Sequence, residues 1–178
     1  TSNYIGEIHE RRDFVLSVNV SARQFRQVDF VAQVQSLVQR HAFNPKLLKL
    51  ELTESILLEN IKDTIAVMNA LKETGVRFSL DDFGTGYSSL QYLKRLPLDQ
   101  LKIDQSFVRD LAVNSSDKTI VRTIIAMAQT LEMDVIAEGV ETEEQRQFLL
   151  DSGCTRYQGY LFGEPVPIEQ FEVLLKQG

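Results

Sequence analysis

The chain has 178 residues, 43% of them hydrophobic and 25% charged, which are ordinary globular proportions and predict one domain over residues 1–178 with one sizeable core. A net charge of -6 argues against a nucleic-acid polymer as partner, because phosphate backbones are gripped by clustered Lys and Arg. No apolar run approaches the roughly 20 residues that span a bilayer and the start lacks a signal-peptide layout, so no membrane insertion is expected within the chain and the predicted location is cytoplasmic.

Short β-rich apolar runs alternate with longer segments of helical period, the pattern of an α/β domain with a largely parallel sheet. Phe14 to Val20 is the first strand candidate, followed by a helix striped with Val31, Val34, Leu37 and Val38. Leu47 to Leu52 is the second strand, and Ile61, Ile65, Met68 and Leu71 mark the next helix, which Gly75 can stop. Val76 to Leu80 and Leu98 to Ile103 are the third and fourth strands, separated by a short helix after Ser88 that Pro97 ends. Ile120, Ile124, Ala128 and Leu131 form another stripe, and Asp134 to Ala137 is the fifth strand. Thr142 with Gln145 reads as a capping box for a helix ending near Gly153, close to a buried structural Cys154. Tyr157 to Phe162 is the sixth strand candidate, and Pro165 and Pro167 lead into a last helix with Phe171, Leu174 and Leu175 on its buried face.

Strand patterning alone fits either a doubly wound sheet or part of a (βα)8 barrel. The polar residues favour the barrel. Asn19, Glu51, Asp81 with Asp82, Lys102, Glu138 and Gln158 each fall in or at the C-terminal end of a different predicted strand, and a barrel converges all its strand ends on one centre. A full barrel takes about 250 residues, so about two strand-helix units are expected before Thr1.

Glu51 inside Leu-Lys-Leu-Glu-Leu-Thr would cost several kcal/mol to bury unpaired, which calls for a compensating cation. Asp81 and Asp82 sharpen that demand, since adjacent carboxylates repel unless a proton or a metal neutralises them. With Asn19, this oxygen-only donor set selects a hard ion, Mg2+ or Mn2+, over zinc. His9 and His41 read as surface residues rather than ligands. Lys102 and Asp104 lie two apart on one strand and so face one side, either as a buried ion pair or with Lys102 serving the chemistry. The two glycines of Asp82-Phe83-Gly84-Thr85-Gly86 are by themselves only a weak phosphate-loop signal.

Taken together, Leu16-Ser17-Val18-Asn19-Val20-Ser21-Ala22-Arg23, Glu51-Leu52-Thr53-Glu54-Ser55, Asp81-Asp82-Phe83-Gly84-Thr85-Gly86-Tyr87-Ser88-Ser89-Leu90, Leu101-Lys102-Ile103-Asp104, Ala137-Glu138-Gly139-Val140-Glu141 and Gln158-Gly159-Tyr160 resemble the consecutive signatures of the EAL family of cyclic di-GMP phosphodiesterases. The resemblance runs in family order from about Phe14 to the last helix. It implies a modified TIM-like barrel holding two Mg2+ or Mn2+ ions, and water attack on cyclic di-GMP to give linear pGpG. By that resemblance Asn19, Glu51, Asp81 and Asp82 match metal ligands, and Lys102 matches the lysine near the nucleophilic water. Glu138, Gln158 and Glu141 match further active-site positions, and Glu54 matches the carboxylate anchoring the loop that begins at Asp82. The strand carrying Glu-Ala-Leu itself is expected upstream of Thr1. A homodimer and a larger sensor protein around the domain are family-level expectations, and the competing reading is an inactive EAL domain serving as a cyclic di-GMP receptor or protein-interaction module.

Overall fold

The computed structural model describes residues 14–54, 56, 60–84 and 90–177, without the side chains of 90, 91 and 174–177. Its frame is a sheet of five parallel strands: β1 (Leu16–Asn19), β2 (Leu48–Thr53), β3 (Arg77–Phe83), β4 (Gln100–Ile103) and β5 (Asp134–Ala137). Their spatial order is their order in the chain. A doubly wound sheet reverses direction at its switch point, whereas a barrel wall adds each strand beside the last, so the order selects the barrel-type wall. β4 is buried along its whole length, as expected of a parallel strand covered on both faces.

Helices join the strands. α1 (Ala22–Phe25) and α2 (Phe30–His41) follow β1, and α3 (Ile61–Lys72) follows β2. α4 (Leu90–Leu93), α5 (Gln105–Arg109) and α6 (Ser115–Thr130) flank β4, and α7 (Glu143–Asp151) and α8 (Ile168–Gln177) follow β5. Met68, Leu71, Val121, Ile125, Ala128 and Leu149 pack into one continuous core with Leu52, Phe78, Leu80 and Leu101 from the sheet. Cys154 is buried there, as expected, and burial pushes its thiol pKa up. Gly75 follows α3 with a left-handed φ of 96°, the stop expected of it.

Four expectations need correction. Tyr157 to Phe162 is not a strand: Tyr157 makes an isolated bridge to Ala137, and the chain then wraps around Val140, whose N donates to Gln158 O and whose O accepts from Leu161 N. Gly159 permits that path, since a Cβ there would lie 2.3 Å from Val140 backbone atoms. Leu37 is 53% exposed, so the buried stripe of α2 is narrower than expected and centres on Phe30 and Val34. Phe171 is 38% exposed and meets Phe14 edge to face at 6.2 Å rather than entering the main core. His41 is half-buried in the last turn of α2, less exposed than expected, while His9 lies outside the described residues.

Candidate metal centre

The strands end at one rim, and their polar residues meet there. Glu51 lies on β2, Asp81 on β3 and Lys102 on β4, while Glu138 immediately follows β5. The Lys102 ammonium sits 2.8 Å from Glu51 Oε2, 2.8 Å from Asp81 Oδ1 and 2.7 Å from Glu138 Oε1. Three separate segments therefore converge on a nitrogen carried by a fourth, which is the convergence expected of a barrel wall. Glu138 is carried past the end of β5 by its own N donating to Ile103 O at 3.1 Å. Gln158 Nε2 then donates to Glu138 Oε1 at 2.7 Å, fixing that oxygen from a second side.

Asp82 joins the group through a backbone irregularity. In a regular strand consecutive side chains point to opposite faces, which would send Asp82 away from Asp81. The register between β3 and β4 shifts between Leu80 and Phe83, and Asp82 takes a left-handed φ of 54°. This is a β-bulge that brings successive side chains toward one side. As a result Asp81, Asp82 and Glu138 each offer an oxygen within 4.8 Å of the others. Asp104 lies near enough for its charge to act on Asp82.

The electrostatics are strongly one-sided, because four carboxylates face a single ammonium. Burial alone would lower the Lys102 pKa, but its hydrogen bonds to Asp81, Glu138 and Glu51 outweigh that and hold it above the ordinary lysine range. Burial raises the Glu138 pKa, and the charges of Asp81 and Glu51 add to the rise against the opposing pull of Lys102. Asp82 is likewise raised, by partial burial and then by Asp81 and Asp104. Burial is the larger cause of both shifts, and the four carboxylates around one ammonium leave net negative charge that a hard divalent ion held by carboxylate oxygens would relieve. The donor set fits Mg2+ or Mn2+ and lacks the His and Cys that zinc prefers.

The other expected site residues lie around this centre. Asn19 pairs in register with Glu51 at the open end of β1 and is exposed. Glu54 is buried, and its Oε1 accepts from Gly84 N at 3.1 Å, while Oε2 has no partner among the described residues. Glu141 is exposed, and its N donates to Gln145 Oε1. The suspected Lys102–Asp104 ion pair is replaced: Lys102 bonds to the three carboxylates, and Asp104 caps α5 by accepting from Ser106 N at 2.9 Å. Residues 85–89, which continue the glycine-rich string, lie outside the described residues.

Comparison with known proteins points the same way. The family described as EAL domain matches residues 2–165. The bifunctional diguanylate cyclase/cyclic di-GMP phosphodiesterase MucR of Pseudomonas aeruginosa is 46% identical over 89% of this chain and 23% of its own length. The cyclic di-GMP phosphodiesterase NbdA of the same species is 45% identical over 94% of this chain and 21% of its length. The chain thus spans about a fifth of the curated relatives it matches. Among solved structures, the PaMucR phosphodiesterase in complex with c-di-GMP superposes with a TM-score of 0.88 at 44% identity, covering 96% of this chain and 68% of that one. A manganese/cy-diGMP complex of Klebsiella pneumoniae BlrP1 gives 0.83 at 28% identity, covering 92% of this chain and 42% of that one.

Proposed function

This chain belongs to the EAL domain family, and from that premise we propose that it hydrolyses cyclic di-GMP to linear pGpG with two Mg2+ or Mn2+ ions. The observation that carries the reading is the convergence of Glu51, Asp81 and Glu138 on Lys102 at 2.7 to 2.8 Å, with Asp82 turned in beside them. Asn19, Glu51, Asp81 and Asp82 would hold the ions. Bound there, the metals would supply a nucleophile at neutral pH and clamp the phosphodiester for in-line displacement.

The protein's own groups do the rest. With ions drawing carboxylates off the three Lys102 N–H donors, the lysine would be free to orient the attacking water and to offset charge that develops on the phosphoryl oxygens, an interaction strongest in the transition state. Gln158 fixes Glu138 Oε1, so that carboxylate keeps its direction toward Lys102. Glu54 holds the segment after Asp82 through Gly84 N, and Glu141 would be a further acidic residue of the site.

Hydrolysis of cyclic di-GMP by the full-length protein with Mn2+ tests the reading, with D81N as control. We expect pGpG from the wild type and at least a 100-fold loss in D81N, the scale on which a displaced catalytic group slows an enzyme. Tight cyclic di-GMP binding without any pGpG would instead establish a receptor.

A further inference from the structure

Gln145 has a second job that its place in a helix cap does not require. Its side chain is 5% exposed, and Oε1 accepts from Glu141 N at 2.8 Å and Thr142 N at 3.0 Å. Together with Gln145 N donating to Thr142 Oγ1, these contacts complete the capping box of α7. A glutamate at this position would serve that box equally well, because only an accepting oxygen is needed. What glutamine adds is a donor. Its Nε2 crosses to Arg109 O, 3.2 Å away at the end of α5 and 36 residues back in the chain.

That bond ties the Glu138-to-Glu141 segment to a helix that starts two residues after the end of β4, the strand carrying Lys102. A second contact between the same two pieces lies nearer the site. Gly139 has a left-handed φ of 68° and packs so closely on α5 that a Cβ would come within 2.7 Å of Gln105 Cβ. α5 touches the β3 end as well, since a Cβ at Gly84 would lie 2.9 Å from Phe107 Cε2. The segment that follows Glu138 therefore meets α5 twice, at Gly139 and, through Glu141 N and the Gln145 side chain, at Arg109 O.

We propose that Gln145 is a positioning residue that clamps the Glu138–Glu141 segment to α5 and so fixes Glu138 relative to Lys102 and Asp81. The inference rests on the metal-centre reading above. It concerns the amide donor of Gln145, not its role as a cap.

Three variants of the full-length protein separate the two roles. Q145E keeps the cap and loses the donor, T142A loses the cap hydroxyl and keeps the donor, and Q145A loses both. The readouts are Mn2+ affinity, from the spin-resonance signal of free Mn2+, hydrogen exchange of the Gly139 to Glu141 amides, and Tm. Glu138 offers an oxygen within 4.8 Å of those of Asp81 and Asp82, so Q145E should raise the Mn2+ dissociation constant about tenfold, the usual scale for disturbing the groups packed around metal ligands, and should speed exchange in the segment. T142A should lower Tm by roughly 2–4 °C while leaving Mn2+ affinity unchanged. Q145A should show both defects. Wild-type affinity and exchange in Q145E and Q145A, or equal loss of affinity in T142A, would overturn the proposal by assigning everything to the cap. If the wild type itself bound no Mn2+, the function proposed above would fall, and exchange would still decide the clamp: unchanged protection in Q145E and Q145A would refute it.

Discussion

Replacing Lys102 by Met would leave Glu51, Asp81 and Glu138 facing one another without the ammonium that now bonds to all three. Those side chains are only 10 to 16% exposed, so water screens their repulsion poorly. Removing one partner from a buried ionic cluster costs about 3 kcal/mol or more, and urea unfolding of K102M with EDTA present should show a loss of that order. Added Mn2+ should recover part of it, since a cation can take over the compensation. Turnover should stay low even then, with cyclic di-GMP affinity little changed, because the proposed work of Lys102 is in the transition state. A K102M protein with normal turnover at saturation and weak binding would make the lysine a substrate anchor instead. The carboxylates of this cluster were legible in the sequence because each interrupts or ends an apolar run. The Lys102–Asp104 pairing misled, because β4 ends at Ile103 and the two-residue alternation stops applying where Asp104 becomes a helix cap.

Two glycines decide how the loops approach the strand ends, and their surroundings rank them. An alanine Cβ at Gly84 would meet Phe107 Cε2 at 2.9 Å, and an aromatic side chain can yield by a small rotation. An alanine Cβ at Gly159 would meet Val140 N and O at 2.3 Å, and backbone already engaged with Gln158 and Leu161 has nowhere to go. G159A should therefore destabilise by more than G84A, with G84A costing on the order of 1–3 kcal/mol for its positive φ and contact. Denaturant midpoints of the two variants check the order, and equal or reversed losses would show that the Gln158 segment moves freely. The same glycine explains why only five of six strand candidates formed. Periodicity reveals residues that suit an extended chain, but it does not reveal that Gly159 lets the backbone curl round Val140. Element types were otherwise well marked: Asp134 to Ala137 formed with the expected limits, and the Thr142–Gln145 box capped α7 as expected. The bulge at Asp82 was not marked, since two consecutive aspartates look alike in a strand or a turn.

At the scale of the molecule, the centre ties together the ends of several strands of one sheet. Glu51, Asp81 and Glu138 belong to β2, β3 and the end of β5, so an ion shared among carboxylates of this rim links segments far apart in the chain. Such an ion binds the folded arrangement and not the unfolded chain, and its affinity then appears as stability. At a hundredfold excess over its dissociation constant Mn2+ should add about 2.7 kcal/mol, or roughly 5–10 °C in Tm. Ca2+ offers the contrast. Its bonds to oxygen, about 2.3–2.6 Å against 2.0–2.1 Å for Mg2+, and its looser coordination suit carboxylates well but hold a phosphodiester less strictly. Ca2+ should therefore raise Tm, compete with Mn2+, and depress hydrolysis of cyclic di-GMP as its concentration rises. Thermal melts and pGpG formation measured over the same metal titrations separate binding from chemistry. A Ca2+-loaded protein that turned over as fast as the Mn2+-loaded one would show that the rim does not discriminate by ion size, and a melt unmoved by either ion would remove the metal from this site.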